Sequence, residues 1–153
     1  MSFAIRSTAF PNGGPIAARY TCDGDDHSPA LNWDGVPPEA QSLALIADDP
    51  DAPAGTWTHW ILWNIPARAT LLAENAPKVE LLDNGARQGI NDFNRIGYGG
   101  PCPPPGKPHR YFFRLYALDA RLDLKPGASR NQLELAMKPH LLANTQWMGT
   151  YKR

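Results

Sequence analysis

Hydrophobic side chains in this chain come in short dense runs separated by polar segments rich in proline and glycine. Leu43-Ala44-Leu45-Ile46-Ala47 and Trp60-Ile61-Leu62-Trp63-Asn64-Ile65 are apolar at nearly every position, as buried central strands are. Pro66 closes the second run, because it has no N–H to extend a ladder. Tyr111 to Leu118 is the strongest strand by composition, aromatic and bulky throughout. Ser28 to Trp33 alternates polar and apolar positions like a half-buried strand, Phe3 to Arg6 reads as a first short strand, and Leu141 to Tyr151 supplies a last one. One helix is predicted, Arg130 to Lys138. Ser129 is its cap, Leu133, Ala136 and Met137 share one face, and Pro139 stops it. Thr70 to Glu74 is at most a second, very short helix.

Sixteen prolines and thirteen glycines cut the chain into short segments and argue against a helical bundle. Regular strand–helix alternation is absent, so a TIM barrel or Rossmann unit does not fit. The fold class is mainly β, and the 153 residues (1–153) fit one domain, long enough to bury roughly 70% of the extended surface. Glycine, asparagine and proline crowd the stretch from Asn84 to Gly106, which reads as a binding loop.

Charge narrows the partners. Fifteen basic residues balance fifteen acidic ones, so no basic field steers the chain to nucleic acid or to an anionic bilayer. A local phosphate site needs only a few donors and stays open. The N-terminus lacks a continuous apolar stretch, and no window approaches the eighteen or more residues of a membrane span, so a cytoplasmic location is expected. Cys22 and Cys102 match no zinc motif. The plain expectation is two free thiols; an exported form with a disulfide is the minor reading.

Two polar clusters carry the candidate chemistry. The first is Asp48-Asp49-Pro50-Asp51-Ala52-Pro53 followed by Trp57 and His59. Strand alternation sends Asp49 and Asp51 to one side and Asp48 to the other, while Pro50 and Pro53, cis or trans, stiffen the loop. A capped turn with solvated carboxylates is the plain alternative. His59 stands at the entrance of an apolar strand, with Trp57 two residues earlier on the same face. Backed by a carboxylate it has a fixed tautomer and donates to an anion; otherwise it is a core histidine. In the second cluster Gly99-Gly100-Pro101 leads through Pro103-Pro104-Pro105 to His109-Arg110-Tyr111. His109 and Tyr111 share one strand face, and Arg110 points the other way, toward an acidic partner. The glycine backbone offers a nest of N–H groups to an anion. No Gly-x-Ser-x-Gly or His-x-x-x-His is present, and a zinc site on Asp49, His59 and His109 or a Cys102–His109 hydrolase has little else behind it.

Both clusters, in this order and at this separation, resemble the phosphatidylethanolamine-binding protein family, which includes the Raf kinase inhibitor proteins, and in particular its short prokaryotic branch. The likeness covers essentially the whole chain. It implies antiparallel sheets, partly Greek key, with few short helices, and a small cavity for phosphate-type anions. Carried over residue by residue, the pocket takes Asp49, Pro53, Trp57, His59, Pro103, His109 and Tyr111, with Gly99, Gly100 and Pro101 as its rim. A homodimer is also implied. The chain departs from the eukaryotic pattern by stopping soon after Tyr151, which weakens any transfer of kinase regulation. The leading expectation is non-catalytic binding of a small phosphate-containing or zwitterionic ligand, with no cofactor, no metal and no catalytic residue. A module that inhibits a kinase or protease, using Trp57, Tyr98 and Pro103 to Pro105, comes second. A phosphoester-directed enzyme comes third.

Overall fold

A computed structural model describes residues 2–153. Nine strands and one α-helix form two sheets. The strands are β1 (Ala4–Arg6), β2 (Gly14–Pro15), β3 (Leu31–Asp34), β4 (Ser42–Asp49), β5 (Trp57–Pro66), β6 (Leu71–Leu72), β7 (Arg87–Gln88), β8 (His109–Leu118) and β9 (Leu141–Tyr151); the helix α1 is Arg130–Met137. The larger sheet runs β2-β9-β8-β4-β5-β7, and the smaller one β1-β3-β6. All pairings are antiparallel except β2 with β9.

The apolar runs fall where both faces of the large sheet are covered. Leu43, Leu45 and Ala47 of β4 face the small sheet, in one core with Ile5, Leu31 and Trp33. Ala44 and Ile46 face the other way, into a second core with Leu133 and Met137 of α1. That double coverage is why β4 shows no polar alternation until Asp48. The helix starts as its sequence dictates: Ser129 and Gln132 form a reciprocal capping box.

β5 changes phase twice against β4. Ala47 pairs with Trp60 but Asp48 with Thr58, so His59 is an extra residue in the ladder. Leu43 pairs with Ile65 but Leu45 with Leu62, which places a second extra residue at Trp63-Asn64, where Asn64 has φ +55°. Such bulges re-aim side chains at the end of a strand. Here the first lets His59 and Trp60 serve the same side of the sheet.

Three local expectations need correction. Leu71-Leu72 is not helical; it pairs with Leu31 and Asn32 as an edge strand. The two-residue strands β2 and β7 carry no sequence signal of their own and exist because β9 and β5 offer free edges. Cys22 and Cys102 are joined in a disulfide rather than free. Their loops were already brought together by Tyr98 Oη donating to the Tyr20 carbonyl (2.7 Å) and Cys22 N–H to that of Pro101 (3.1 Å). Pro50 and Pro53 follow trans peptide bonds.

Candidate functional site

The end of β4 lies beside the starts of β5 and β8, and there the two polar clusters meet. Antiparallel pairing sets Asp49 opposite Trp57 and Asp48 opposite Phe112. Pleating then turns Asp49, Trp57, His59, His109 and Tyr111 to the side of the small sheet, beyond its edge. Together with Ala52, Pro53, Phe93, Pro103 and Pro104 they line a cavity of about 190 Å³.

Seven of the ten residues expected from sequence line this cavity: Asp49, Pro53, Trp57, His59, Pro103, His109 and Tyr111. Gly99, Gly100 and Pro101 do not, and their role differs from the expected nest. Gly100 N–H donates to Asp26 Oδ1 (2.8 Å), Gly99 N–H to the His59 carbonyl (3.0 Å), and the Pro101 carbonyl accepts from Cys22. The two glycines serve close packing: a Cβ on Gly99 would strike the Phe93 ring, and one on Gly100 the Tyr20 carbonyl. Phe93 was missed by sequence reasoning. It packs edge-on to His59 (5.4 Å) and Trp57 (5.5 Å), and its signal was a lone aromatic residue between Asn91-Asp92 and Asn94.

The two imidazoles are set up differently. His109 Nδ1 lies 2.7 Å from Asp49 Oδ2, and Asp49 Oδ1 accepts from the Asp51 backbone N–H (2.8 Å). Nδ1 of His109 therefore carries a proton and Nε2 is the variable position, an acceptor when the ring is neutral and a donor when it is charged. His59 Nδ1 faces the Gly99 carbonyl at 2.6 Å, which can only accept. Burial pushes the His59 imidazole below its ordinary titration range, although the Gly99 carbonyl and Asp49 oppose the shift. As a neutral ring it offers Nε2 as an acceptor. His59, expected to donate to an anion, is thus an acceptor, and His109 is the ring that a carboxylate orients.

Two buried donors in cavity-lining residues have no partner, Trp57 Nε1 and Tyr111 Oη. Burial first, then the Asp49 charge and the Asp49 carboxylate as a loose acceptor outside good hydrogen-bond geometry, raise the Tyr111 hydroxyl's pKa, so it stays protonated and able to donate. Orphaned buried polar atoms are uncommon in folded proteins, and each calls for an ordered water or a bound group as its partner.

Asp51 does not follow Asp49. Alternation ends with β4, and the turn sends the Asp51 carboxylate outside, to a two-point pair with Arg110 Nε and Nη2 (both 2.9 Å). That guanidinium, first through its hydrogen bond, holds the Asp51 carboxyl below its usual range. Tyr98, one of the residues expected on a partner-binding patch, is 2% exposed. Cys102 cannot act as a free thiol beside His109 while bonded to Cys22. Among the described residues, no three His, Cys, Asp or Glu side chains are grouped to hold a metal ion, and no helix is long and apolar enough to cross a membrane.

The fold and cavity define a β-sandwich with a small, largely apolar pocket at one end of its core, walled by proline and aromatic rings around a His–Asp pair. Comparison with known proteins is more specific: residues 6–152 match the phosphatidylethanolamine-binding protein family, to which this chain belongs. It is 55% identical to a UPF0098 protein of Methanothermobacter thermautotrophicus, over 97% of this chain and 98% of that one. A UPF0098 protein of Aquifex aeolicus is 52% identical over 97% and 88%. Among solved structures, a putative phosphatidylethanolamine-binding protein homologue from Chlamydia trachomatis superposes with a TM-score of 0.91 at 41% identity, covering 99% of this chain and 98% of that one. YbcL of Escherichia coli, called a new member of the mammalian family, gives 0.92 at 32% identity, over 100% and 99%.

Proposed function

We propose that the cavity binds a small phosphate-type anion or phospho-head group without turning it over. The observation that carries this reading is the pair of buried unpartnered donors, Trp57 Nε1 and Tyr111 Oη, on residues that line the cavity beside the His109–Asp49 pair. A phosphate presents several acceptor oxygens in a small volume, which suits two neutral donors and an imidazole whose orientation Asp49 fixes. His59, as an acceptor, suits a hydroxyl or a protonated phosphate oxygen. Asp49 is engaged in orienting His109 and in accepting from Asp51, so its main part in this reading is to position the imidazole. The recognised group is the anion. Its proline and aromatic surroundings exclude water and strengthen each charge-assisted bond.

Calorimetric titration with inorganic phosphate and with phosphoethanolamine tests this. The two are expected to bind within a few-fold of each other. His109→Gln, which removes the ring that Asp49 orients, should weaken both at least tenfold. Absence of binding at millimolar ligand, or an unchanged affinity in the variant, would reject the reading.

A further inference from the structure

The disulfide stands between two cavities. Cys102 lines the anion cavity beside Pro103 and Pro104, and both Cys22 and Cys102 line a second hollow of about 200 Å³ that shares Phe93 with the first. Both cysteines are exposed, so the bond is open to attack from solvent.

We propose that Cys22–Cys102 is a redox-modification site that positions the proline wall of the cavity and so sets its affinity for anions, a proposal that rests on the anion-binding reading above. The wall has few other supports. From Pro103 to Pro108, before β8 begins at His109, the hydrogen bonds among described residues are two: Gly106 N–H to the Arg153 carbonyl (3.2 Å) and Arg153 Nη1 to the Pro103 carbonyl (3.5 Å). The disulfide ties the segment's other end to the Tyr20–Asp26 loop, where the Cys22 N–H bond to the Pro101 carbonyl (3.1 Å) and those of Tyr98 and Gly100 remain when it opens. Opening the bond therefore loosens Pro103 and Pro104, which lie past that tether, without dismantling the loops behind His59.

The exchange partner is a dithiol. Its thiolate attacks Cys22 Sγ and the S–S bond breaks, with the electron pair departing on Cys102 Sγ. Arg153 Nη1, 3.9 Å from that sulfur, favours the thiolate there. The second thiol of the reductant then displaces Cys22, leaving two protein thiols and an oxidised dithiol, with protons taken from solvent. Two electrons pass to the protein.

The test titrates inorganic phosphate into oxidised protein and into protein reduced by dithiothreitol, with two alkylatable thiols confirmed by mass. Reduction is expected to weaken phosphate binding at least fivefold and reoxidation to restore it, while the doubly substituted variant Cys22→Ser with Cys102→Ser behaves as the reduced form. Equal affinity in the two redox states overturns the proposal. If neither state binds phosphate, the anion reading fails, and the wall is then judged without ligand by the NMR signals of the Trp57 indole and the His109 ring. Reduction should shift both, and unchanged signals would overturn the coupling of disulfide to cavity.

Discussion

Asp48 and Asp49 are neighbours in one strand, both almost fully buried, and their surroundings differ completely. Asp48 faces the helix side of the large sheet, where Arg114 Nη2 (3.0 Å) and Arg130 Nη1 (2.8 Å) close on it. Arg114 also lies over the Phe112 ring at 4.4 Å. Asp49 faces the opposite side and holds a single imidazole, beside donors that nothing in the chain satisfies. One carboxylate is saturated and ties β4, β8 and α1 together. The other is a base for a group that still has bonding capacity. Pairing a buried charge fully inside the protein builds structure, whereas under-pairing its surroundings builds a site.

The sharpest way to break this comparison is to remove each carboxylate in turn. Asp48→Ala should lower stability by about 3 kcal/mol, since it strands two half-buried guanidiniums, with little effect on phosphate binding by the folded protein. Asp49→Ala should weaken phosphate binding more than tenfold while destabilising less. Urea unfolding and calorimetry on both variants would check this, and an Asp49 variant that binds normally would erase the distinction. Reduction of the disulfide comes next: the residues it joins are 80 apart in sequence, so losing it should cost about 2–4 kcal/mol and lower the melting temperature by roughly 10 °C. Tyr111→Phe, which deletes a donor that meets no acceptor in good geometry, should weaken phosphate binding about fivefold and lower stability only slightly.

The smallest effect is a pH slope. His59 is held neutral in the fold by burial, so its folded pKa lies below the unfolded one, near 6.5. As pH falls through that unfolded value, the unfolded chain takes up a proton that the native state does not, and stability declines until the folded value is reached. Unfolding free energies between pH 7.5 and 5 should therefore fall less steeply in His59→Phe than in wild type.

What sequence reveals here follows the range of the forces involved. β4, β5, β8, β9 and α1 were legible because each has enough apolar residues, or a cap and a stop, to declare its own period. The meeting of Asp49 with His109 was expected from the paired clusters, and the separate fate of Asp48 from strand alternation. Alternation failed one step later at Asp51, where Pro50 had already turned the chain. Leu71-Leu72 misled because a two-residue edge strand is decided by its partner β3. The disulfide and the packing role of Gly99 and Gly100 depend on loops some 80 residues apart approaching closely, which no local pattern encodes.

The two extra residues in β5 act as a matched pair. The one at His59 inverts the sense in which successive side chains point, and the one at Trp63-Asn64 inverts it back before Ile65. Trp57 and His59 can thus keep one phase while Trp60 and Leu62 keep another, although all four belong to a single strand. Loss of either insertion alone would carry a tryptophan or an imidazole through to the wrong side of the sheet. For this strand, then, one-residue deletions are more dangerous than most substitutions, and two compensating ones would be safer than one.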